Sequence, residues 1–104
     1  MKASDIGIEP SALLEFLTRW KLRDISVFGS VARGNSGPDS DVDFLVAYDD
    51  DAEWDLFDMM DMADELVEMV GRRADVLTRD AVERCDNVRL RREILSSVEP
   101  LHAA

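Results

Sequence analysis

The apolar positions near the start of the chain recur with a helical period. Four large side chains follow one another at i, i+3, i+4 and i+7: Leu13, Phe16, Leu17 and Trp20. This spacing places them on one side of a helix. Pro10 suits the first turn, where its missing N–H is not needed. The pattern predicts an amphipathic, core-covering helix over about residues 10–21.

Two short β-rich runs follow. Residues 24–28 read DISVF and end at Gly29, and residues 42–48 read VDFLVAY. Between them, residues 34–40 are rich in Gly, Asn, Ser and Pro, which is typical of a loop. The pattern predicts two strands joined by this loop.

A longer periodic segment over about residues 52–70 predicts a central helix. Its apolar residues fall within roughly 120° of a helical wheel, and they include Leu56, Met59, Met60, Ala63, Leu66, Val67 and Val70. The opposite face carries acidic residues, among them Asp58, Asp61, Glu65 and Glu68. Gly71 is a suitable helix terminator.

The last third predicts a strand and one or two helices. Residues 72–78 read as a third strand, a short helix is expected near 80–85, and apolar positions between 88 and 101 support a final helix. The element order indicates an α/β (α+β) sandwich, with one small mixed sheet of about three to four strands and about four helices. A chain of 104 residues predicts a single domain over residues 1–104.

Composition favours a globular, soluble protein. Hydrophobic residues make up 46% of the chain and charged residues 34%, and no apolar run approaches the roughly 18 residues of a membrane span. The first ten residues do not resemble a secretory signal, and Cys85 has no cysteine in the chain to pair with. We therefore expect a protein of a reducing cytoplasm, with an inert thiol.

The formal charge of −11 changes the range of expected partners. Non-specific adhesion to nucleic acid or anionic lipid needs a Lys/Arg surface, so no membrane and no direct nucleic-acid binding are expected. A cation cofactor or a basic protein partner suits this charge. The ten arginines against two lysines leave adaptation to a high-salt cytoplasm open as another reason for the acidity.

Asp41 and Asp43 are the first candidates for chemistry. Two residues apart in a strand, their side chains would project from one face with Cα atoms about 7 Å apart. Mg²⁺ prefers a few carboxylate oxygens together with water and substrate phosphate, so the pair could share ions. The alternative is a solvated strand edge in an acidic protein.

Gly29 and Ser30 form the second candidate. They follow a strand and precede an expected helical turn over Ser30–Arg33, an arrangement that can direct backbone N–H groups and a hydroxyl toward an anion. Taken alone, the pair is as compatible with an ordinary turn as with an anion-binding site. The joint spacing of this turn and the aspartate pair is much more informative than either motif.

That spacing carries a family resemblance. Gly29-Ser30, followed after about ten residues by Asp41-Val42-Asp43 and an apolar run, resembles the nucleotidyltransferase signature. The run GSVARGNSGPDSDVD is similar to the minimal nucleotidyltransferases, the MntA-like antitoxins that accompany HEPN-domain toxins. The resemblance extends along nearly the whole chain, although residues 29–46 alone are specific. Val31 and Gly37 depart from the basic residues common in relatives, which would weaken triphosphate contacts.

The resemblance implies the fold and the roles of the site residues. The expected fold is that of the nucleotidyltransferases, with a third carboxylate supplied by a neighbouring strand. Two Mg²⁺ ions and the catalytic chemistry would be assigned to Asp41, Asp43 and Asp75. The nucleotide-binding residues would be Gly29, Ser30, Arg33 and Ser40. Without the resemblance, Asp75 reads as a solvated acid at a strand edge.

The resemblance also implies an activity. It would be the transfer of AMP from ATP to a tyrosine hydroxyl of a HEPN ribonuclease toxin, which would be neutralised within a hetero-oligomer. Two alternatives stay open, an antitoxin that acts by binding alone and a transferase with a small-molecule acceptor. A polymerase role is disfavoured because no basic groove with interleaved aromatics is evident.

One further pattern concerns a protein partner. Four apolar residues fall on the otherwise acidic face of the central helix: Trp54, Phe57, Met62 and Met69. Apolar groups ringed by acid could dock a basic partner. The alternative is that the C-terminal helix or an oligomer covers them. His102, near the chain end, is assigned no role.

Overall fold

The computed structural model describes residues 2–34, 37 and 40–103. Pro38 and Asp39, which belong to the run quoted for the resemblance, lie outside the described residues. The elements are a 3₁₀ turn (Ala3–Ile6), α1 (Pro10–Arg19), β1 (Leu22–Phe28), β2 (Val42–Tyr48), α2 (Leu56–Val70), β3 (Ala74–Thr78), α3 (Arg79–Glu83), α4 (Val88–Ser96) and β4 (Glu99–Ala103). Among the described residues, no helix is long and apolar enough to span a membrane.

The strands form one mixed sheet in the order β3-β2-β1-β4. β1 is antiparallel to β2 and to β4, whereas β2 and β3 are parallel. A parallel pair needs a crossover connection, and α2 provides it. The predicted α/β class and mixed sheet are confirmed.

Helices cover both faces of the sheet. On one face, Leu13 and Phe16 of α1 and Leu66 of α2 join the core cluster of the inner strands. On the other face, Phe28 and Leu45 pack with Val82 of α3, with part of α4 against them. Because both faces are covered, β2 reads as a nearly continuous apolar run.

The prediction that the final helix continues to Leu101 is wrong. α4 ends at Ser96, and residues 99–103 form β4 along β1. Val98 and Leu101 have helical spacing, but the backbone of β1 would otherwise have a free edge there. Pairing at that edge satisfies backbone groups, and local periodicity does not report it.

The predicted core face of α2 is right for Leu66, Met59 and Val70, which lie in or against the core, and wrong for Leu56 and Met60. Met62 and Leu66 are fully buried, whereas Leu56, Phe57 and Met60 are exposed by 73%, 75% and 57%. The apolar arc in the sequence is broader than the sheet can cover. Packing against the sheet therefore chooses which part of the arc is buried.

Trp54 belongs to the core and not to a docking surface. Its ring meets Trp20 edge to face, with centroids 5.1 Å apart, and its Nε1 donates a hydrogen bond of 2.8 Å to the carbonyl of Trp20. Met69 packs against the same cluster, in which Met62 is fully buried. Of the four residues predicted to dock a partner, Phe57 alone has an exposed side chain.

Candidate active site

The predicted catalytic residues meet at one end of the sheet. Phe28, the last residue of β1, is paired with Asp43 near the start of β2. Asp43 is in turn paired with Asp75 near the start of β3. The antiparallel and parallel pairings therefore bring the turn after β1 beside two carboxylates that are 32 residues apart in the chain.

Gly29 is shaped for close approach to Asp43. Its φ is +74°, and a β-carbon added at this position would lie 2.7 Å from Oδ2 of Asp43. Real β-carbons do not approach a carboxylate oxygen so closely, and a positive φ disfavours other residues as well. Glycine is therefore favoured at this position by its positive φ and by the closeness of the Asp43 carboxylate.

The backbone N–H of Gly29 has a partner that the sequence did not indicate. It donates a hydrogen bond of 3.2 Å to Oγ of Ser97, at the end of α4. The Ser97 hydroxyl lies 3.2 Å from the carbonyl of Ile94, to which it donates. A serine at a helix end has many common uses, so nothing in the local sequence signals this link between α4 and the site.

The predicted helical turn after Gly29 is present. The N–H of Arg33 donates to the carbonyl of Gly29 at 3.1 Å, and that of Gly34 donates to Val31 at 3.1 Å. Val31, at a position where an arginine was expected to contact phosphate, is instead buried in the core. Ser30 is partly exposed and Arg33 is exposed, so both side chains are accessible from solvent.

The pKa of Asp43 is shifted by its position in the acidic cluster. Burial raises the pKa of its carboxyl above the ordinary value, and the charges of Asp75 and Asp41 raise it further. Arg33 acts in the opposite direction and lowers this pKa. Asp75 and Asp41 thus disfavour the charged form of Asp43, an effect that a bound cation would relieve.

Asp41 lies just before β2 and faces Arg73. Its Oδ1 is 3.7 Å from Nε of Arg73, and both side chains are substantially exposed. The N–H of Val42 donates to the carbonyl of Arg73 at 2.9 Å. Arg73 therefore lies at the edge of the acidic cluster, where a metal ion would compete with it for Asp41.

The three aspartates lie near one another, but their side chains are not arranged to coordinate a metal ion. Over residues 2–34, 37 and 40–103, no group of three or more His, Cys, Asp or Glu side chains is arranged to hold a metal ion. The donor chemistry nevertheless suits Mg²⁺, which takes carboxylate oxygens. The three aspartates fit such an ion by charge and donor type, and rotation of their side chains would be needed to coordinate it.

The loop before Asp41 is held by Arg72, a residue that sequence reasoning missed. Nε of Arg72 donates to the carbonyl of Ser40 at 2.9 Å, and Nη2 donates to that of Gly37 at 2.8 Å. Oγ of Ser40 also accepts the N–H of Gly37 at 3.0 Å. An arginine directly after the helix-ending Gly71, entering a strand at the site, is the one signal that could have indicated this contact.

Comparison with known proteins places this geometry in a family. The nucleotidyltransferase domain model matches residues 11–99. The protein adenylyltransferase MntA of Thermococcus cleftensis is 32% identical over 69 residues, covering 66% of this chain and 68% of that protein. Matches to three such relatives span 64% to 73% of those proteins' lengths.

Solved structures share the fold. A protein assigned as a minimal nucleotidyltransferase has a TM-score of 0.68 at 31% identity, with 97% of each chain covered. A Shewanella oneidensis complex of tri-AMPylated HEPN toxin with MNT antitoxin has a TM-score of 0.61 at 18% identity, with 90% of this chain and 69% of that chain covered. With a family model that matches residues 11–99, this chain belongs to the nucleotidyltransferase domain family.

Proposed function

We propose that this protein is an adenylyltransferase that moves AMP from ATP to a hydroxyl of a protein partner. The observation that carries the proposal is the strand register, which places Asp75 beside Asp43 with Asp41 two residues away. Oxygen ligands on adjoining strands suit Mg²⁺. Asp41, Asp43 and Asp75 would hold two such ions, which supply charge neutralisation and lower the pKa of a bound hydroxyl.

The nucleotide would lie against the turn after β1. The Ser30 hydroxyl and the Arg33 guanidinium would contact the phosphates, with Gly29 leaving room for them and for Asp43. The Ser40 hydroxyl accepts a bond within its loop, and a hydroxyl that accepts one hydrogen bond can donate another. These four residues would orient the triphosphate, since phosphoryl transfer depends mainly on positioning and electrostatics.

The reaction forms one bond and breaks one. The acceptor oxygen attacks the α-phosphorus, the bond from this phosphorus to the bridging oxygen breaks, and pyrophosphate leaves with that oxygen. The proton of the acceptor hydroxyl passes to a carboxylate, for which Asp75 is suited because its side chain is exposed. General-base help of this kind contributes about 10²–10⁴-fold to a rate.

A HEPN toxin tyrosine is the proposed acceptor. The relative from Thermococcus cleftensis is a protein adenylyltransferase, and the Shewanella oneidensis complex holds an AMP-modified HEPN toxin with its MNT antitoxin. The site lies at an end of an open sheet, where a protein segment can approach. Modification would neutralise the toxin within a hetero-oligomer.

The test is the intact mass of the HEPN protein after incubation with this protein, Mg²⁺ and ATP. We expect mass increments of whole AMP groups with the wild type and none with Asp43→Asn or Asp75→Asn. Asp64→Asn is the matched control, because it removes an exposed acid of α2 away from the site. Labelling retained by both site variants would exclude the proposed chemistry.

The same variants test the alternative of neutralisation by binding alone. If Asp43→Asn still protects cells from the toxin although no AMP is transferred, association is sufficient and the chemistry is dispensable. If protection is lost together with labelling, while the variant still co-purifies with the toxin, AMP transfer is what neutralises it.

A further inference from the structure

Arg72 links three parts of the molecule that meet at the active site. It follows Gly71, the residue that ends α2 with φ +70°, and precedes Arg73, whose carbonyl accepts the N–H of Val42 at 2.9 Å. Its backbone is therefore fixed on one side by the end of a helix and on the other by the pairing of β3 with β2. The side chain therefore starts from a fixed backbone position, and its hydrogen bonds set where the guanidinium lies.

The guanidinium reaches the loop that leads into Asp41. Nε is 2.9 Å from the carbonyl oxygen of Ser40, and Nη2 is 2.8 Å from that of Gly37. Nη2 also donates to Ser40. The planar fork of arginine can serve two acceptors in a fixed geometry, whereas the ammonium of lysine is a point donor on a flexible stem.

The Ser40 carbonyl belongs to the peptide group directly before Asp41. Fixing that peptide restrains the backbone from which the Asp41 side chain projects. The carboxylate of Asp41 is itself 40% exposed and meets Arg73 at 3.7 Å, a contact that is long and open to solvent. An exposed ion pair of this kind contributes little, so the restraint on the backbone determines where Asp41 is presented.

We propose that Arg72 is a positioning residue, which holds the loop through Gly37 and Ser40 so that Asp41 stays in place beside Asp43 and Asp75. The inference that this placement serves metal-bound nucleotide rests on the proposed function. The contact of Arg72 with Gly37 and Ser40, called the clamp below, does not rest on the proposed function, because it is present in the protein without ligand.

The first measurement uses the ligand-free protein. Amide hydrogen exchange is compared in wild type, Arg72→Ala, Arg72→Lys and Arg23→Ala. The N–H of Ser40 donates to Gly37 within the loop at 3.2 Å, and we expect its exchange to speed up at least roughly tenfold in Arg72→Ala. Arg23 is the matched control, since it bonds Asp50 at the opposite end of the sheet and its loss should leave the loop unchanged.

The second measurement is titration of Mn²⁺·ATP by calorimetry. We expect roughly tenfold weaker binding in Arg72→Ala and a smaller loss in Arg72→Lys, because lysine keeps the charge but not the fork. Millimolar guanidinium ion should recover part of the loss in Arg72→Ala and leave the wild type unaffected. A general destabilisation would not be relieved in this way, and sodium chloride at equal ionic strength controls for screening.

The outcomes separate the clamp from the function. Unchanged loop exchange in both Arg72 variants overturns the clamp. Faster loop exchange with unchanged Mn²⁺·ATP binding overturns the positioning of Asp41. If loop exchange is faster in Arg72→Ala but the wild type does not bind Mn²⁺·ATP, the result supports the clamp and counts against the proposed function. Should Arg72→Ala not fold, the same readouts on Arg72→Lys decide, and wild-type behaviour there overturns the proposal.

Discussion

Gly29 lies so close to Asp43 that a methyl group at position 29 would push against the carboxylate of Asp43. A β-carbon on Gly29 would lie 2.7 Å from Oδ2 of Asp43. The two residues face each other because Phe28, directly before Gly29, is paired with Asp43 across β1 and β2. Besides its positive φ, the glycine of the motif thus leaves room for a carboxylate 14 residues further along the chain.

This contact predicts a specific loss in Gly29→Ala. The positive φ alone should cost about 1–2 kcal/mol of unfolding free energy, and displacement of Asp43 should add to it. Gly71→Ala is the control, because Gly71 has φ +70° but nothing within 4 Å of an added β-carbon. Urea denaturation should show a larger loss for Gly29→Ala. Equal losses in the two variants would mean that Asp43 moves aside without cost.

A second prediction concerns Asp43 and pH. Its pKa is raised by burial and by Asp75 and Asp41, so the folded state holds the proton more tightly than the unfolded chain does. The stabilising contribution of Asp43 is therefore present below its ordinary pKa of 3.8 and is lost as pH rises through the raised value. Asp43→Asn should melt at a higher temperature than wild type at pH 7.

The melting difference should shrink as pH falls toward 4, and differential scanning calorimetry across this range measures it. Asp64→Asn controls for loss of one negative charge from a chain of net charge −11. Millimolar Mg²⁺ should raise the melting temperature of wild type more than that of Asp43→Asn. If Asp43→Asn melts at or below the wild-type temperature at pH 7, the charged Asp43 carboxylate does not destabilise the folded protein, and the prediction is wrong.

The ionisation of Tyr48 can be followed without interference from other tyrosines, because it is the chain's one tyrosine. Burial, followed by the charge of Asp58, raises the pKa of its hydroxyl to about 12. Absorbance of phenolate at 295 nm should therefore rise with a midpoint near that value in the folded protein and near the ordinary value of 10.0 in urea. Asp58→Asn should lower the folded midpoint. Because folding raises this pKa, stability should fall as pH increases between the two midpoints.

Trp54→Phe tests the corrected role of this tryptophan. The change removes the hydrogen bond to the carbonyl of Trp20 and alters the edge-to-face contact of the two rings. We expect a loss of about 1–2 kcal/mol of unfolding free energy. Phe57→Ala should change the free energy of unfolding by less than about 0.5 kcal/mol, because Phe57 is 75% exposed. Equal effects would contradict the assignment of Trp54 to the core.

Local patterns were sufficient for most of the elements. β2 was predicted over residues 42–48 and is observed over the same range, and the short helix expected near residue 80 is α3. α2 starts four residues later than the pattern indicated. The Asp55 side chain accepts the N–H of Asp58, the Asp58 side chain accepts the N–H of Asp55, and this reciprocal cap sets the start of α2.

The interior face of α2 and the last strand could not be found in this way. The helix carries more apolar surface than the sheet covers, so Met62 is buried and Met60 is exposed according to how the helix lies on the sheet. Similarly, residues 99–103 become a strand because the edge of β1 offers hydrogen-bond partners. Both outcomes depend on contacts between residues far apart in the chain.

The features of the candidate site also differ in whether local sequence or tertiary contacts determine them. The sequence by itself determined the order of elements as far as α4, the acidic pair Asp41 and Asp43, and the turn at Gly29, since each depends on neighbouring residues. The tertiary structure alone decided that Asp75 lies opposite Asp43 and that Arg72 holds the loop before Asp41. These are pairings across more than 30 residues, created by strand register and by the end of a helix, and no local periodicity encodes them.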